Sequence, residues 1–296
     1  MRKLLVLGQN GMLGSEVVKQ ASESGKWMVL NPFESGYSRI DITDRALLKE
    51  ALGKIKPDAV VNCAAYTNVD QCEEPEGFKI AEMVNGYAVG YIAEQCLRHN
   101  IDFLHISSDY VFGDNRKEGY TEDYNLFRPL NKYGETKLLG EQELTKHAGG
   151  IVNGSDFKVK SPGLFVVRTS WLFGKGAKNF ISKILELAQT RDHLEVVTDE
   201  VSSPTYVKDL ALAVLEILGG EYSSGIFHVS GKGACFRFDF AKEILMLKNV
   251  KIEIRPTELA KFERKARIAN FSYLVNTKLP EMRSWKEMLK DYFSDN

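Results

Sequence analysis

The first half of the chain alternates short, almost unbroken apolar runs with longer segments whose apolar positions return every three or four residues. Residues 3–7 read as a strand and 11–24 as a helix; 27–30 read as a second strand, followed by an irregular stretch to Asp41 and a helix over about 44–52. Residues 59–62 form a third strand, 75–99 a long helix, 103–106 a fourth strand, 131–147 another helix and 164–168 a fifth strand. Strands that are apolar throughout bury both faces. The alternation therefore predicts an α/β protein with a doubly wound parallel sheet, covered by helices on each side.

Between residues 148 and 163 the pairs Gly149-Gly150, Asn153-Gly154 and Pro162-Gly163 are turn signals and predict a surface hairpin or loop. Beyond Arg168 the pattern loosens. Helices are expected over 179–190, 207–218, 238–247 and 284–293, and strands over 194–197, 226–229 and 251–254. With neither a low-complexity linker nor an internal repeat, the second region is expected to pack against the first.

The 296 residues suffice for one large or two modest domains. With 44% hydrophobic and 27% charged residues and a formal net charge of -1, nothing draws the chain globally to nucleic acid or to an anionic membrane. Residues 248–267 are locally rich in Lys and Arg, as either a solvated surface or a clamp for an anionic substrate. Cys63, Cys72, Cys96 and Cys235 show no CxxC or metal-ligand spacing, which fits a reduced protein. Met1-Arg2-Lys3 before Leu4-Leu5-Val6-Leu7 imitates a secretory leader, but the apolar run stops at Gly8. No apolar stretch is long enough to span a bilayer. A cytoplasmic protein without membrane or nucleic-acid partners is expected.

Gly8-Gln9-Asn10-Gly11-Met12-Leu13-Gly14 follows the first strand and opens the first helix. Glycines there permit a tight turn, close approach of backbone to a diphosphate, and close helix–strand contact, while the helix start offers amide donors. The spacing is GxxGxxG, which alone marks only a glycine-rich turn. Within an N-terminal βαβ unit it predicts a dinucleotide cradle built from Gly8, Asn10, Gly11, Met12 and Leu13. The second strand ends Leu30-Asn31-Pro32, without the acid that receives a ribose 2′-hydroxyl. That leans to NADPH, with NADH as the alternative; Arg39 is a candidate for the 2′-phosphate or a plain surface arginine. In Asp41-Ile42-Thr43-Asp44, Thr43 or Asp44 can cap the next helix, and Asp41 with Ile42 can receive the adenine edge. After the third strand, Cys63, Ala64, Ala65 and Tyr66 provide small residues where a cofactor lies close to the backbone, or where a helix packs tightly. Ser107-Ser108-Asp109-Tyr110 closes the fourth strand at the carboxyl edge, where such sheets bind ligands.

Tyr133 and Lys137 lie four residues apart in an expected helix, so they share one face. A phenol titrates near ~10 and is helped as an acid by a neighbouring cation that stabilises the phenolate. With 12 tyrosines in the chain, about one such pair arises by chance, so the meaning of this pair depends on its surroundings.

Those surroundings resemble the extended short-chain dehydrogenase/reductases, and within them the dTDP-4-dehydrorhamnose reductase family, over nearly the whole length. Ala64-Ala65-Tyr66-Thr67-Asn68-Val69-Asp70 is similar to the segment after that family's third strand, and Ser107-Ser108-Asp109-Tyr110-Val111-Phe112 resembles its S-T-D-Y-V-F. Residues 129–141 are similar to P-x-N-x-Y-G-x-x-K-x-x-G-E, and Arg168-Thr169-Ser170-Trp171, Asn179-Phe180 and Ser203-Pro204-Thr205 resemble its later signatures. The resemblance implies a Rossmann-type domain over 1–170, with 203–222 returning to it, and a smaller mixed α/β substrate-binding region mainly over 171–296. It implies Tyr133 as proton donor, Lys137 as its electrostatic partner and ribose anchor, and Ser108 as the hydroxyl that binds the substrate carbonyl. Asp109, Tyr110, Trp171 and Asn179 would line a sugar-nucleotide pocket, although Trp171 also suits a core and Asn179 a helix cap.

Three departures stand out. Ser108 replaces the usual threonine, Ala266-Arg267-Ile268 keeps the arginine of A-x-R-P without its proline, and Asp199-Glu200-Val201-Ser202 stands where the family has D-Q-x-G. Arg267 would meet the substrate diphosphate. Some relatives are similar in placing a divalent ion near a dimer interface with a glutamate like Glu16; the resemblance thus implies a homodimer, whereas no metal is expected from the spacing. The implied activity is NADPH-dependent reduction of the C4 ketone of a nucleotide-linked 4-keto-6-deoxy sugar. The alternatives are a sugar-nucleotide epimerase or dehydratase on the same scaffold, or a non-catalytic NADP-binding regulatory subunit.

Overall fold

The structure, a computed structural model, describes every residue except Asn153 and Asn296. Strand β1 (Arg2–Leu7) leads through the glycine turn into α1 (Met12–Ser24), which Gly25 ends in the left-handed conformation. β2 (Trp27–Val29), α2 (Arg45–Ile55) and β3 (Ala59–Asn62) follow. Asp44 caps α2 by accepting from the Ala46 and Leu47 amides, so the capping alternative read from the sequence holds for that residue.

The long helix expected over 75–99 is interrupted: α3 (Pro75–Ala81) and α4 (Ala88–His99) flank a π-helical turn, Glu82–Tyr87. Such turns expel one residue from the regular ladder. In this one Asn85 is fully buried and bonds both backbone groups of Tyr66, a tertiary demand invisible in local periodicity. β4 (Asp102–Ser108) runs two residues beyond its expected end and so contains the serine pair. Asn131 then caps α5 (Lys132–His147).

The segment expected to be a hairpin or loop forms β5 (Ile151–Val152) and β6 (Asp156–Phe157), which pair antiparallel; the Asn153 part of that turn signal lies outside the described residues. Next come β7 (Leu164–Thr169), β8 (Leu172–Phe173), α6 (Phe180–Thr190), β9 (His193–Val197), β10 (Val201–Ser202), β11 (Thr205–Tyr206) and α7 (Val207–Gly219). The chain closes with β12 (Gly225–His228), β13 (Cys235–Phe236), α8 (Arg237–Leu247), β14 (Glu253–Thr257) and α9 (Trp285–Ser294). β14 starts two residues later than the sequence implies and runs through Pro256, pairing in parallel with β9. A proline in a two-stranded edge costs little, because its missing donor faces no partner.

The main sheet has eight strands in the order β2-β1-β3-β4-β7-β12-β6-β5, and its first six are mutually parallel. α7 packs against α1, and β12 lies beside β7. Successive residues of β1 serve opposite faces: Leu4 and Val6 join one core cluster, Leu5 and Leu7 the other. Leu4, Leu5, Val60 and Val61 are fully buried, each burial stabilising by about 1.5–3 kcal/mol. The strand order reverses between β1 and β3. Crevices for ligands open at the carboxyl ends of strands on either side of such a reversal.

Candidate active site

At that reversal lies a cavity of about 670 Å³. Gly8, Asn10 and Gly11 supply its floor, Asp41 and Ile42 one wall, and residues 63–66 the other, while Ser38 and Arg39 stand at its rim loop. Gly8 has φ 77, and a Cβ there would sit 2.6 Å from the Ala64 nitrogen. Only glycine brings the two loops this close. At Gly14 a Cβ would collide with the Gly8 carbonyl, so this residue lets α1 press onto the turn. Gly11 caps α1 without a side-chain hydrogen bond, leaving first-turn amides for an anion. Asp41 is held by the Thr43 amide and hydroxyl, which pull its carboxyl below the usual range. Two expected cofactor residues face elsewhere: Leu13 is core, and Met12 borders a second cavity.

Tyr133, Lys137 and Glu141 recur every four residues along α5, so one helix face presents all three to β4. Tyr133 and Tyr110 meet edge to face, with ring centroids 5.4 Å apart, and the Ser108 hydroxyl lies near enough to the Tyr133 phenol to oppose the rise in its pKa. Burial, then the charges of Tyr110 and Asp109, push the phenol above its ordinary value. The sequence reading has Lys137 lowering it. Instead the Lys137 ammonium is directed to the Ile106 carbonyl at 2.7 Å, with His105 Nε2 at 3.4 Å.

His105 Nδ1 meets Asn62 Nδ2 at 3.2 Å, the Asn62 carbonyl being held by the Ala64 amide, while Nε2 meets the Lys137 ammonium at 3.4 Å; a neutral ring accepts from one of these two donors. Burial, followed by the Lys137 charge, holds His105 well below its usual value and hence neutral. Burial draws Lys137 down to about 8, against the opposing pull of Glu141 and Cys63.

Asp109 is 1% exposed and lines neither cavity. Its Oδ1 accepts from Ser108 at 3.0 Å and its Oδ2 from Ser202 at 3.2 Å and Ser272 at 2.7 Å. Burial pushes this carboxyl up to about 6 against those hydrogen bonds and the charge of Arg237.

The second cavity, about 680 Å³, is walled by Trp171, Asn179, Phe180 and Phe240, with Lys178, Lys183, Arg237 and Arg264 as its cations. Trp171 has φ 40, a left-handed conformation costly for a bulky residue, by about 1–3 kcal/mol. Its ring lies under the Arg237 guanidinium at 3.4 Å, and Arg237 pairs in bidentate fashion with Glu200. Asn179 borders the cavity while its carbonyl oxygen caps α6 and its amide bonds Gly174 and Ala177. Arg267 lines neither cavity; it is exposed, and its carbonyl accepts from Asn131. Ser108, Tyr133 and Lys137 line neither cavity; the charge of Lys137 acts on Cys63 of the first, and Tyr110 feels the charges of Arg237 and Glu200 of the second.

A family model described as RmlD substrate binding domain matches residues 1–296. The chain belongs to this family, the dTDP-4-dehydrorhamnose reductases. It is 32% identical to the spore coat polysaccharide biosynthesis protein SpsK of Bacillus subtilis over 100% of this chain and 98% of that protein. It is 35% identical to dTDP-4-dehydrorhamnose reductase of Aggregatibacter actinomycetemcomitans over 81% of this chain and 77% of the relative. The structure of dTDP-4-dehydrorhamnose reductase from Bacillus anthracis in complex with NADP superimposes with a TM-score of 0.87 at 30% identity, covering 100% of this chain and 99% of that one. Like other members of the dTDP-4-dehydrorhamnose reductase family, the chain is an NAD(P)H-dependent oxidoreductase.

Three site residues escape sequence reasoning. Asn85 bonds Tyr66 and Thr136, tying the cofactor-side loop to α5. His105 sits inside an apolar strand, and Arg237 meets Trp171 across 66 residues of chain. Only the D-Q to Asp199-Glu200 departure signalled that a new cation was needed near the pocket. Among the described residues no group of three or more His, Cys, Asp or Glu side chains could hold a metal ion, and no helix is long and apolar enough to cross a membrane.

Proposed function

We propose that the protein reduces the C4 ketone of dTDP-4-dehydro-L-rhamnose to give dTDP-L-rhamnose, using NADPH. What carries this reading is that α5 presents Tyr133 to Ser108 at the carboxyl edge of β4, in a fold that also holds a glycine cradle and an aromatic, cation-bearing cavity. The cradle fits a dinucleotide because glycine at position 8, where a Cβ would collide with the Cys63–Ala64 backbone, lets the two loops close around it, and the α1 amides carry no side-chain cap. When bound there, NADPH supplies the hydride. Gly8, Asn10 and Gly11 hold the diphosphate, Ser38 and Arg39 meet the 2′-phosphate, and residues 63–66 flank the nicotinamide half.

Tyr133 and Ser108 converge on the ketone oxygen, and Tyr133 protonates the alkoxide as it forms. The raised phenol suits this direction, since it stays protonated at neutral pH and an alkoxide is still a far stronger base. Lys137 would hold the nicotinamide ribose. Lys178, Lys183 and Arg264 receive the sugar-nucleotide diphosphate, and Trp171 packs on the sugar. Pure protein with NADPH and dTDP-4-dehydro-L-rhamnose should oxidise the cofactor, and Tyr133→Phe should slow it about 10²–10⁴-fold. Full rate in that variant refutes the mechanism. Turnover confined to another nucleotide-linked keto sugar refutes the substrate.

A further inference from the structure

The Ser108 hydroxyl has one proton to give and two lone pairs to fill. The proton goes to Asp109 Oδ1, 3.0 Å away, and the Tyr110 amide donates to Oγ at 3.2 Å. The Tyr133 phenol stands beside this hydroxyl, which acts to lower its pKa. Arranged so, Ser108 is an acceptor and has nothing to offer a carbonyl oxygen. The far oxygen of Asp109 faces two more serines, Ser202 of β10 and Ser272 of the segment beyond β14, so hydroxyls rather than a cation hold the carboxylate. The other charged or titratable groups facing it are Tyr110, Tyr133 of α5 and Arg237 of α8, with Glu200 acting on Tyr110.

We propose that Asp109 is a positioning residue whose protonation reverses the Ser108 hydroxyl: ionised, it takes the serine proton; protonated, it donates to Ser108 Oγ and frees that proton for the substrate ketone. The role rests on the reductase reading above. No proton leaves Asp109 during turnover. Its O–H bonds Ser108, Ser108 turns its own O–H to the ketone oxygen, and Tyr133 donates to the same oxygen, the proton consumed in reduction being that of Tyr133. Burial holds the carboxyl up to about 6, so both states are sampled close to neutrality.

In protein labelled with nitrogen-15 tyrosine, with no substrate present, the Tyr110 amide reports on Ser108 Oγ; it is assigned by Tyr110→Phe. Its signal should titrate with a midpoint near the Asp109 value, and the titration should vanish in Asp109→Asn and in Ser108→Ala. With the keto sugar, the wild-type rate should fall as pH rises through the same midpoint, toward the level left by losing one donor to the oxyanion, about 10²–10³-fold lower. In Asp109→Asn, Oδ1 keeps Ser202 and Ser272 while Nδ2 donates to Ser108, so its rates at about pH 5 and about pH 7, both below the Lys137 value, should be nearly equal.

An amide that does not titrate, or that titrates equally in Asp109→Asn, overturns the proposal, as does a fall in rate between about pH 5 and about pH 7 retained in Asp109→Asn. An amide that titrates as expected while no nucleotide-linked keto sugar is consumed supports the hydroxyl reversal and refutes the reductase reading.

Discussion

Two adjacent serines at the end of β4 each donate to a buried carboxylate, and the two carboxylates live differently. Ser107 donates at 2.6 Å to Glu141, which Arg168 clamps with two further bonds at 2.9 and 2.6 Å. Arg168 is itself wholly buried, within cation–π reach of Phe112 and Phe127, and bonded to His228 Nε2, whose other nitrogen donates to the Tyr120 carbonyl. This half ties β4, α5, β7 and β12 together. Ser108 donates to Asp109, which has three hydroxyls and no cation in contact. A buried acid with a bidentate arginine has its charge matched in place; one held only by hydroxyls has no such partner. The first builds the platform and the second stands beside the chemistry.

The comparison breaks most visibly at Glu141. Glu141→Gln leaves Arg168 buried without its counter-charge and should cost about 3–5 kcal/mol, read by urea unfolding. A loss under about 1 kcal/mol would make the platform no more than a surface-grade pair.

Asp109→Asn should behave in the opposite sense. The folded carboxyl is raised from 3.8 to about 6, so folding favours its protonated form; that stability is present below 3.8 and is lost as pH rises through the folded value. The stability of Asp109→Asn relative to the natural protein should therefore grow by about 3 kcal/mol between about pH 4 and about pH 8. A constant difference across that range would put Asp109 in the same class as Glu141.

Arg237→Met removes the cation from Trp171 and strands Glu200, which is 5% exposed, at a cost of about 1–3 kcal/mol. The KM for the sugar nucleotide should rise while that for NADPH stays put. Arg39→Ala is the smallest change. The side chain is largely exposed, so NADPH binding should weaken by about 1 kcal/mol, or roughly fivefold, with NADH unaffected.

The parts of the site that are continuous in sequence were legible there. The glycine turn, residues 63–66, Ser107-Ser108 and the Tyr133/Lys137 pair each belong to one element boundary, and strand periodicity sets those boundaries. What stayed hidden joins distant segments. Ser202 and Ser272 reach Asp109 across 93 and 163 residues, so Asp109 read as a pocket residue rather than a caged acid. Asn85 imposes a π turn on an otherwise regular helical pattern because its amide serves Tyr66, 19 residues earlier. The direction of Lys137 depends on the Ile106 carbonyl and on His105, and no spacing encodes either.

A single turnover with NADPH deuterated at the transferable position of C4 and dTDP-4-dehydro-L-rhamnose tests the central claim most directly. The account predicts that the deuterium appears on C4 of the sugar in dTDP-L-rhamnose and that Tyr133→Phe suppresses its transfer. Deuterium that stays on the nicotinamide while the sugar is altered, or that returns to the cofactor within one cycle, would contradict it.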